Sequence, residues 1–281
     1  MKYLVIGKNG QLGKEFIQSL SLEGKDFTAV GHEELDISNL KNVMEVCEML
    51  KPSVIINTSA YNQVDLAEKH FELAYKTNSL GVYNLLLACE KYKTFLVHYS
   101  TDCVFDGKKA NGLYNEEDEA NPLSEYGKSK YLGEIFIKES NINALLLRVS
   151  WVFGKGKQNF IYKFLEWAQN NKILKISSDE VSIPTSTKTI TDLTIRSLES
   201  GLTGTYHMTN TGFCSRYEFA KAIARMMNLD NDIFPVSIDS FNLPAKRPKF
   251  AAMDNQKIAK ILGLPIPTWE SALNEHLKNL Q

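Results

Sequence analysis

Two stretches of this chain carry tyrosine and lysine four residues apart: Tyr126 and Lys130 in SEYGKSK, Tyr217 and Lys221 in RYEFAK. One helical turn separates the members of each pair, so either pair would project from a single helix face. A phenol, with a pKa of about 10, is a sluggish proton donor and acceptor at neutral pH. A neighbouring ammonium favours the phenolate and draws that value toward the working range, which suits the couple to acid–base chemistry on a carbonyl or alcohol. With 12 tyrosines in the chain a chance match is expected, so position must choose between the copies.

Position favours Tyr126. It follows FLVHYSTDCVF, an apolar run that ends in hydroxyls and an acid. Ser100, Thr101 and Asp102 then fall at the C-terminal end of a strand, where open α/β sheets bind ligands. Ser124 suits a helix N-cap, and Pro122 suits the approach to one. Tyr217 lies in the second half of the chain. In this reading Tyr126 and Lys130 are the catalytic pair, and Thr101, with Ser100 as the adjacent alternative, holds the substrate oxygen.

The chain opens YLVIGKNGQLG, with Gly7, Gly10 and Gly13 between a strand-like run and an amphipathic helix. The first glycine permits the tight turn and the second lets the backbone approach a pyrophosphate. The third allows close helix–strand contact, and the helix N-terminus offers unpaired N–H groups. This is a dinucleotide-binding loop, and it makes the acid–base pair part of a hydride-transfer site, with Lys130 able to hydrogen-bond a nicotinamide ribose. The second strand is followed by Glu33, Glu34 and Asp36, yet none sits squarely at its tip. Asp36 suits the adenine or ribose, and Lys8 suits a 2′-phosphate. Both NADH and NADPH remain open, with a lean to NADPH.

Strand-like runs at 2–7, 27–31, 54–58, 95–100 and 144–150 alternate with helical patterns. One helix carries Leu12, Phe16, Ile17 and Leu20 on a stripe; others are expected over 39–50 and 73–92. Near-continuous apolar strands point to a parallel sheet covered on both faces. The expected fold is a Rossmann-type, doubly wound α/β sheet over residues 1–150. Beyond 150 the pattern shortens: helices at 158–171, 187–199 and 215–227, strands at 172–178 and 204–210. That half is read as a smaller, discontinuous substrate-binding domain, 151–281.

Net charge is −1, which offers no field to draw nucleic acid or an anionic membrane. No apolar run reaches membrane-spanning length, and the interrupted N-terminus does not read as a signal peptide. Cys47, Cys89, Cys103 and Cys214 are far apart and read as free thiols of a cytoplasmic protein. The five histidines are scattered, with no metal-ligand cluster.

Several stretches in the same order resemble one family. GKNGQLG, LDISN, NTSAYNQVDLAE, HYSTDCVFDG, YGKSKYLGE, RVSWVFG and, more weakly, KRPKFAAMD are similar to the dTDP-4-dehydrorhamnose reductases, within the extended short-chain dehydrogenase/reductases. The resemblance implies NADPH- or NADH-dependent reduction of a dTDP-linked 4-keto-6-deoxy-L-hexose to dTDP-L-rhamnose for a surface polysaccharide. It implies that Gly10, Gln11 and Leu12 meet the pyrophosphate and that Asp36 and Ile37 flank the adenosine. Ala60, Tyr61 and Asn62 would line the cofactor, with Tyr99 near the nicotinamide. Thr101 and Asp102 would contact the sugar, Trp151 would pack against the substrate, and Arg247 would hold the diphosphate. Some members bind Mg²⁺ at a homodimer contact, and Glu15 sits at a matching position. Three places depart from the family pattern: Cys103 where tyrosine is usual, Asn62 where threonine is usual, and Lys249–Phe250–Ala251 after the Arg-Pro. They leave open a related nucleotide-sugar reductase; apart from them, a non-catalytic NADP-binding regulator and an epimerase on the same fold are the rival readings.

Overall fold

The computed structural model describes residues 1–279. Five parallel strands, β1 (Lys2–Ile6), β2 (Asp26–Val30), β3 (Val54–Asn57), β4 (Phe95–Thr101) and β5 (Ala144–Val149), form one sheet with Gly204–His207 as a sixth. The spatial order is Gly204–His207, β5, β4, β3, β1, β2. The order reverses between β1 and β3, which opens a crevice at the C-terminal strand ends.

Alternate residues of each strand serve opposite cores. Tyr3, Val5, Ile56, Val97, Leu145 and Leu147 pack with Phe16 and Leu20 of α1 (Gln11–Leu22). Leu4, Ile6, Ile55, Leu96 and Leu146 pack with Val43 and Cys47 of α2 (Leu40–Leu50) and with Val82, Leu85 and Cys89 of the helix Gly81–Tyr92. Both faces are therefore covered, which is why the strands read as continuous apolar runs.

The helix expected over 73–92 is built in three parts. Phe71–Tyr75 and Gly81–Tyr92 are α-helical, and Lys76–Leu80 between them is a π-helical turn. Such turns widen the helix locally and recur at functional sites; this one carries Asn78.

The helix Thr187–Glu199 packs against α1, and its Ile190, Leu193, Ile195 and Leu198 join the first core. A division at residue 150 would therefore cut the sixth strand and this helix away from the sheet they complete. Gln256–Leu262 also packs on the first core through Ile258, while four other second-half elements share a separate core. In it Phe164 of Phe160–Asn170, Leu174 of Ile173–Ser177, Phe219 of Arg216–Met226 and Leu273 of Trp269–Lys278 meet.

Gly7 adopts φ +96°, and a Cβ at Gly13 would lie 2.2 Å from the Gly7 carbonyl oxygen. The helix N-terminus thus rests on the turn with no room for a methyl group. Gly13→Ala is expected to cost about 2 kcal/mol through overpacking, read as a lower urea midpoint at unchanged slope.

Candidate active site

The helix Glu125–Glu139 begins at Ser124, whose hydroxyl accepts from the Gly127 amide at 3.2 Å. Gly127 lies so close to the end of β4 that a Cβ would sit 2.4 Å from the Cys103 carbonyl oxygen. This contact brings Tyr126 beside Thr101, Asp102 and Cys103, and all four line one pocket. Trp151, Glu180, Ser182, Arg216 and Arg247 complete much of its wall.

Asp102 is buried. Its oxygens accept from Thr101 Oγ1 at 3.1 Å and from Ser182 Oγ at 2.6 Å. Burial raises its pKa against those hydrogen bonds and the pull of Arg216. Burial likewise pushes the Tyr126 phenol up, with Cys103 and Asp102 adding to the rise and the Thr101 hydroxyl opposing it. The spacing alone leads to the opposite expectation, a depression by Lys130; the Nζ of that residue donates to the Tyr99 carbonyl oxygen at 2.5 Å and lies 3.4 Å from His98 Nε2. Burial lowers Lys130 to about 8, with Glu134 opposing.

Tyr99 is also placed differently from expectation. Strand alternation turns its ring into the first core, where its hydroxyl meets Thr194 Oγ1 at 2.9 Å. It serves the site through its carbonyl. Ser100, the alternative to Thr101, is buried and its hydroxyl makes no hydrogen bond among the described residues.

A second cleft runs from the glycine loop along the strand ends. Gly7, Gly10, Asp36, Ile37, Ala60, Tyr61 and Asn62 line it, together with Thr58, Ser59 and Gln158. Asn78, unremarked in the sequence, clamps this wall: its side chain bonds both the Tyr61 N–H and C=O, each at 2.9 Å, and Ser129 Oγ at 3.0 Å. Composition around Asn78 gives no such signal; it lies in the π-helical Lys76–Leu80 segment. Two expected residues reach the cleft less directly. Gln11 spends its side chain on Val152 O at 3.0 Å and on Asn159 Nδ2 at 3.2 Å, and Leu12 packs on the first core. The N-terminus of α1 has no side-chain cap, so its backbone N–H groups remain for an anion.

At the far end Asp36 Oδ1 accepts from Ser38 N and Oγ at 2.9 and 2.7 Å. Burial raises its pKa, and the Ser38 bonds bring it below the usual range. Lys8 pairs with Glu34, whose other oxygen accepts from Gly31 N at 2.8 Å.

Tyr217 and Lys221 line a different cleft with Arg225, Asn231 and Trp269. Their helix nevertheless serves the first pocket through its first residue. Arg216 stacks on Trp151, 3.5 Å from the ring centroid, and its Nη2 lies 3.3 Å from Glu180. Trp151 itself sits at φ +38°, a strained conformation held by this stack and its neighbours. Arg247 grips Asp65 through two bonds of 2.7 and 3.0 Å. Among the described residues no group of three or more His, Cys, Asp or Glu is placed to hold a metal. Glu15 accepts from Thr187 Oγ1 at 2.9 Å, and the expected Mg²⁺ contact there gains no support. No helix among the described residues is long and apolar enough to cross a membrane.

The whole chain, residues 1–281, matches the family model described as the RmlD substrate binding domain. The chain belongs to the RmlD family. A dTDP-4-dehydrorhamnose reductase from Clostridium acetobutylicum superposes with a TM-score of 0.96 at 35% identity, all of each chain being covered. The Bacillus anthracis dTDP-4-dehydrorhamnose reductase, solved in complex with NADP, gives a TM-score of 0.94 at 34% identity over 99% of each chain. The spore coat polysaccharide biosynthesis protein SpsK of Bacillus subtilis is 34% identical over 99% of this chain and 97% of its own.

Within the RmlD fold the three departures have definite places. Cys103 lines the Tyr126 pocket and Asn62 the glycine-loop cleft. Ala251 N bonds Val181 O at 2.9 Å, and Lys249 Nζ bridges Asp179 and Asp239 at 3.1 and 3.2 Å. The last stretch therefore ties the pocket wall to the segment that carries Ser182.

Proposed function

We propose that the chain reduces the C4 ketone of dTDP-4-dehydro-6-deoxy-L-mannose to dTDP-L-rhamnose, using NADPH or NADH, in the cytoplasm. The observation that carries this reading is the juxtaposition of Tyr126, Thr101 and Asp102 in one pocket beside a glycine-loop cleft. The cleft suits a dinucleotide: Gly7 and Gly13 leave no side chain between turn and helix, and the helix start is free of a cap. Bound reduced nicotinamide supplies hydride to C4.

The chain's own residues do the rest. Thr101 positions the ketone oxygen by hydrogen bonding. Tyr126, a phenol throughout the neutral range, donates its proton to that oxygen as charge develops there. Asp102, held by Ser182 once Thr101 turns its one hydroxyl proton from the carboxylate to the ketone, receives a sugar hydroxyl. Trp151, held by Arg216, offers an apolar face to the ring. Gly10 and the N–H groups at the start of α1 receive the cofactor pyrophosphate. Asp36 and Ile37 bracket its adenosine, and Ala60, Tyr61 and Asn62 form the opposite wall. The second half supplies the substrate side.

Arg247 lines the pocket with its planar fork paired to Asp65, and a substrate diphosphate would take over that pairing. Arg247→Lys is expected to raise KM for the nucleotide sugar about tenfold, the loss of one charge-assisted bond, with kcat little changed. Steady-state kinetics at saturating NADPH checks it.

The reading is tested by coupling the purified chain to a dTDP-glucose dehydratase and a 3,5-epimerase. Loss of reduced-nicotinamide absorbance that requires the epimerase supports it, and NMR of the product identifies the sugar. Absence of consumption with any such keto-sugar overturns it. The altered Cys103 position favours one alternative, a related 4-keto-6-deoxysugar, which the same NMR spectrum would reveal.

A further inference from the structure

Lys8, Gly31 and Glu34 meet at the tip of β2. The Val30 carbonyl oxygen, the last of that strand, accepts from Gly7 N at 2.9 Å and from Lys8 N at 3.1 Å, which pins the glycine loop to the tip. Leu35 N then bonds Gly31 O at 2.9 Å, so the chain turns at once and returns Glu34 toward the strand end. Glu34 Oε2 accepts from Gly31 N at 2.8 Å, and its Oε1 pairs with Lys8 Nζ. A Cβ on Gly31 would lie 3.1 Å from Asn9 Nδ2, 3.1 Å from Glu34 Oε2 and 3.4 Å from Lys8 Cε. Three side chains thus converge over a tip residue that has none of its own.

Gly31, Asn9 and His32 line the glycine-loop cleft, so this convergence lies on its rim. In doubly wound sheets the adenosine ribose of a dinucleotide comes to the end of the second strand. An acid there accepts from the 2′-hydroxyl of NADH, and a cation there accommodates the 2′-phosphate of NADPH. Sequence order puts Glu34 past the tip, but the turn at Gly31 brings its carboxylate back. Asp36, the other acid of this wall, is turned to Ser38 through Oδ1.

We propose that Lys8 and Glu34 together read the 2′ position of the cofactor's ribose, Lys8 taking the phosphate of NADPH and Glu34 the hydroxyl of NADH, and that their pairing admits both. Alone, Lys8 would attract the phosphate and favour NADPH. Alone, Glu34 would repel it and favour NADH. Paired, their charges cancel, and neither cofactor is turned away. The side chains are 33% and 48% exposed, and an ion pair in such contact with water is weak enough for a cofactor to open. Each partner also has capacity left over, since an ammonium carries three donors and a carboxylate about four lone-pair sites. The Lys8 and Gly31 bonds hold the Glu34 carboxyl below the usual range, so it meets the ribose as an anion.

Direct binding tests this without turnover. NADPH and NADH are titrated against the full chain through their fluorescence. The unaltered chain is expected to bind the two within about tenfold of each other, and a preference beyond about a hundredfold for either overturns the proposal. Lys8→Met is expected to weaken NADPH about tenfold, the loss of one charge-assisted contact, with NADH little changed. Glu34→Gln keeps an acceptor for Gly31 N but removes the negative charge. It is expected to move the NADPH-to-NADH affinity ratio about tenfold in the opposite direction. A general loss of stability would weaken both cofactors alike and could not move the ratio in two directions. A ratio that stays fixed in either variant, or moves the same way in both, overturns the proposal. The site takes from the reductase reading only the identity of its cofactors. If neither nucleotide binds the unaltered chain, both fall. If the ratios move as expected while no keto-sugar is reduced, the reductase reading has failed and the Lys8–Glu34 site stands.

Discussion

Tyr126→Phe is expected to reduce kcat by about 10²–10⁴-fold, the usual worth of a positioned general acid, while cofactor affinity stays near that of the unaltered chain. The phenol hydroxyl is the group lost, and the ring keeps its place against Cys103 and Thr101. The pocket that contains Tyr126 is separate from the glycine-loop cleft, so binding of the dinucleotide does not depend on that hydroxyl. Fluorescence titration of NADPH and single-turnover absorbance measure the two quantities separately. Tyr217→Phe is the control. Its side chain lines a different cleft, and its turnover should match the unaltered chain. Near-normal turnover in the Tyr126 variant, with a loss in the Tyr217 variant, would reverse the assignment of the two copies.

Glu134→Leu is expected to destabilise the fold by about 3–5 kcal/mol. Arg148 is 1% exposed, and its guanidinium bonds both Glu134 oxygens, so the leucine would leave a buried charge without a partner. Urea unfolding followed by circular dichroism reads the loss. Replacing both residues with leucine should recover much of it, because the stranded charge disappears with the arginine. The pair also makes stability depend on pH. Burial raises the Glu134 pKa, but the Arg148 bonds outweigh it and the folded value lies below the ordinary one. The stabilisation is complete above the usual glutamate range and is lost as pH falls through the lowered folded value. A midpoint that holds flat down to strongly acidic pH in the intact chain would contradict the argument.

Local pattern was enough for the first half of the fold. Apolar runs that must be buried on both faces can hardly be anything but central parallel strands, and the glycine triplet marks where strand gives way to helix. The nearness of Tyr126 to Thr101 and Asp102 was legible for the same reason, since it needed only the nearest strand end. What escaped is long-range. Ser182 and Arg216 reach Asp102 and Trp151 from segments far along the chain, and Arg216 sits in the very hexapeptide that reads as a decoy. The π-helical turn that aims Asn78 depends on hydrogen-bond register rather than on composition. The burial that raises the phenol was not legible either, and sequence gives spacing without showing that the Lys130 Nζ meets a backbone carbonyl on a neighbouring strand. The second half was read element by element, yet its strand Gly204–His207 belongs to the first sheet, and nothing in a four-residue run announces its partner.

That sixth strand has a consequence for how the chain is made. β5 ends at residue 149 and its outer neighbour begins at residue 204. A ribosome adding residues one at a time leaves the outer edge of β5 open for several seconds while the intervening segment is synthesised. Leu145, Leu147 and the bare amide row beside them are then a template for pairing with another nascent chain. The longer that edge stays open, the more pairing between nascent chains competes with folding, so the yield of active protein should fall with slower translation of the intervening segment or with crowding on one messenger. A fragment ending near residue 150 should aggregate rather than fold.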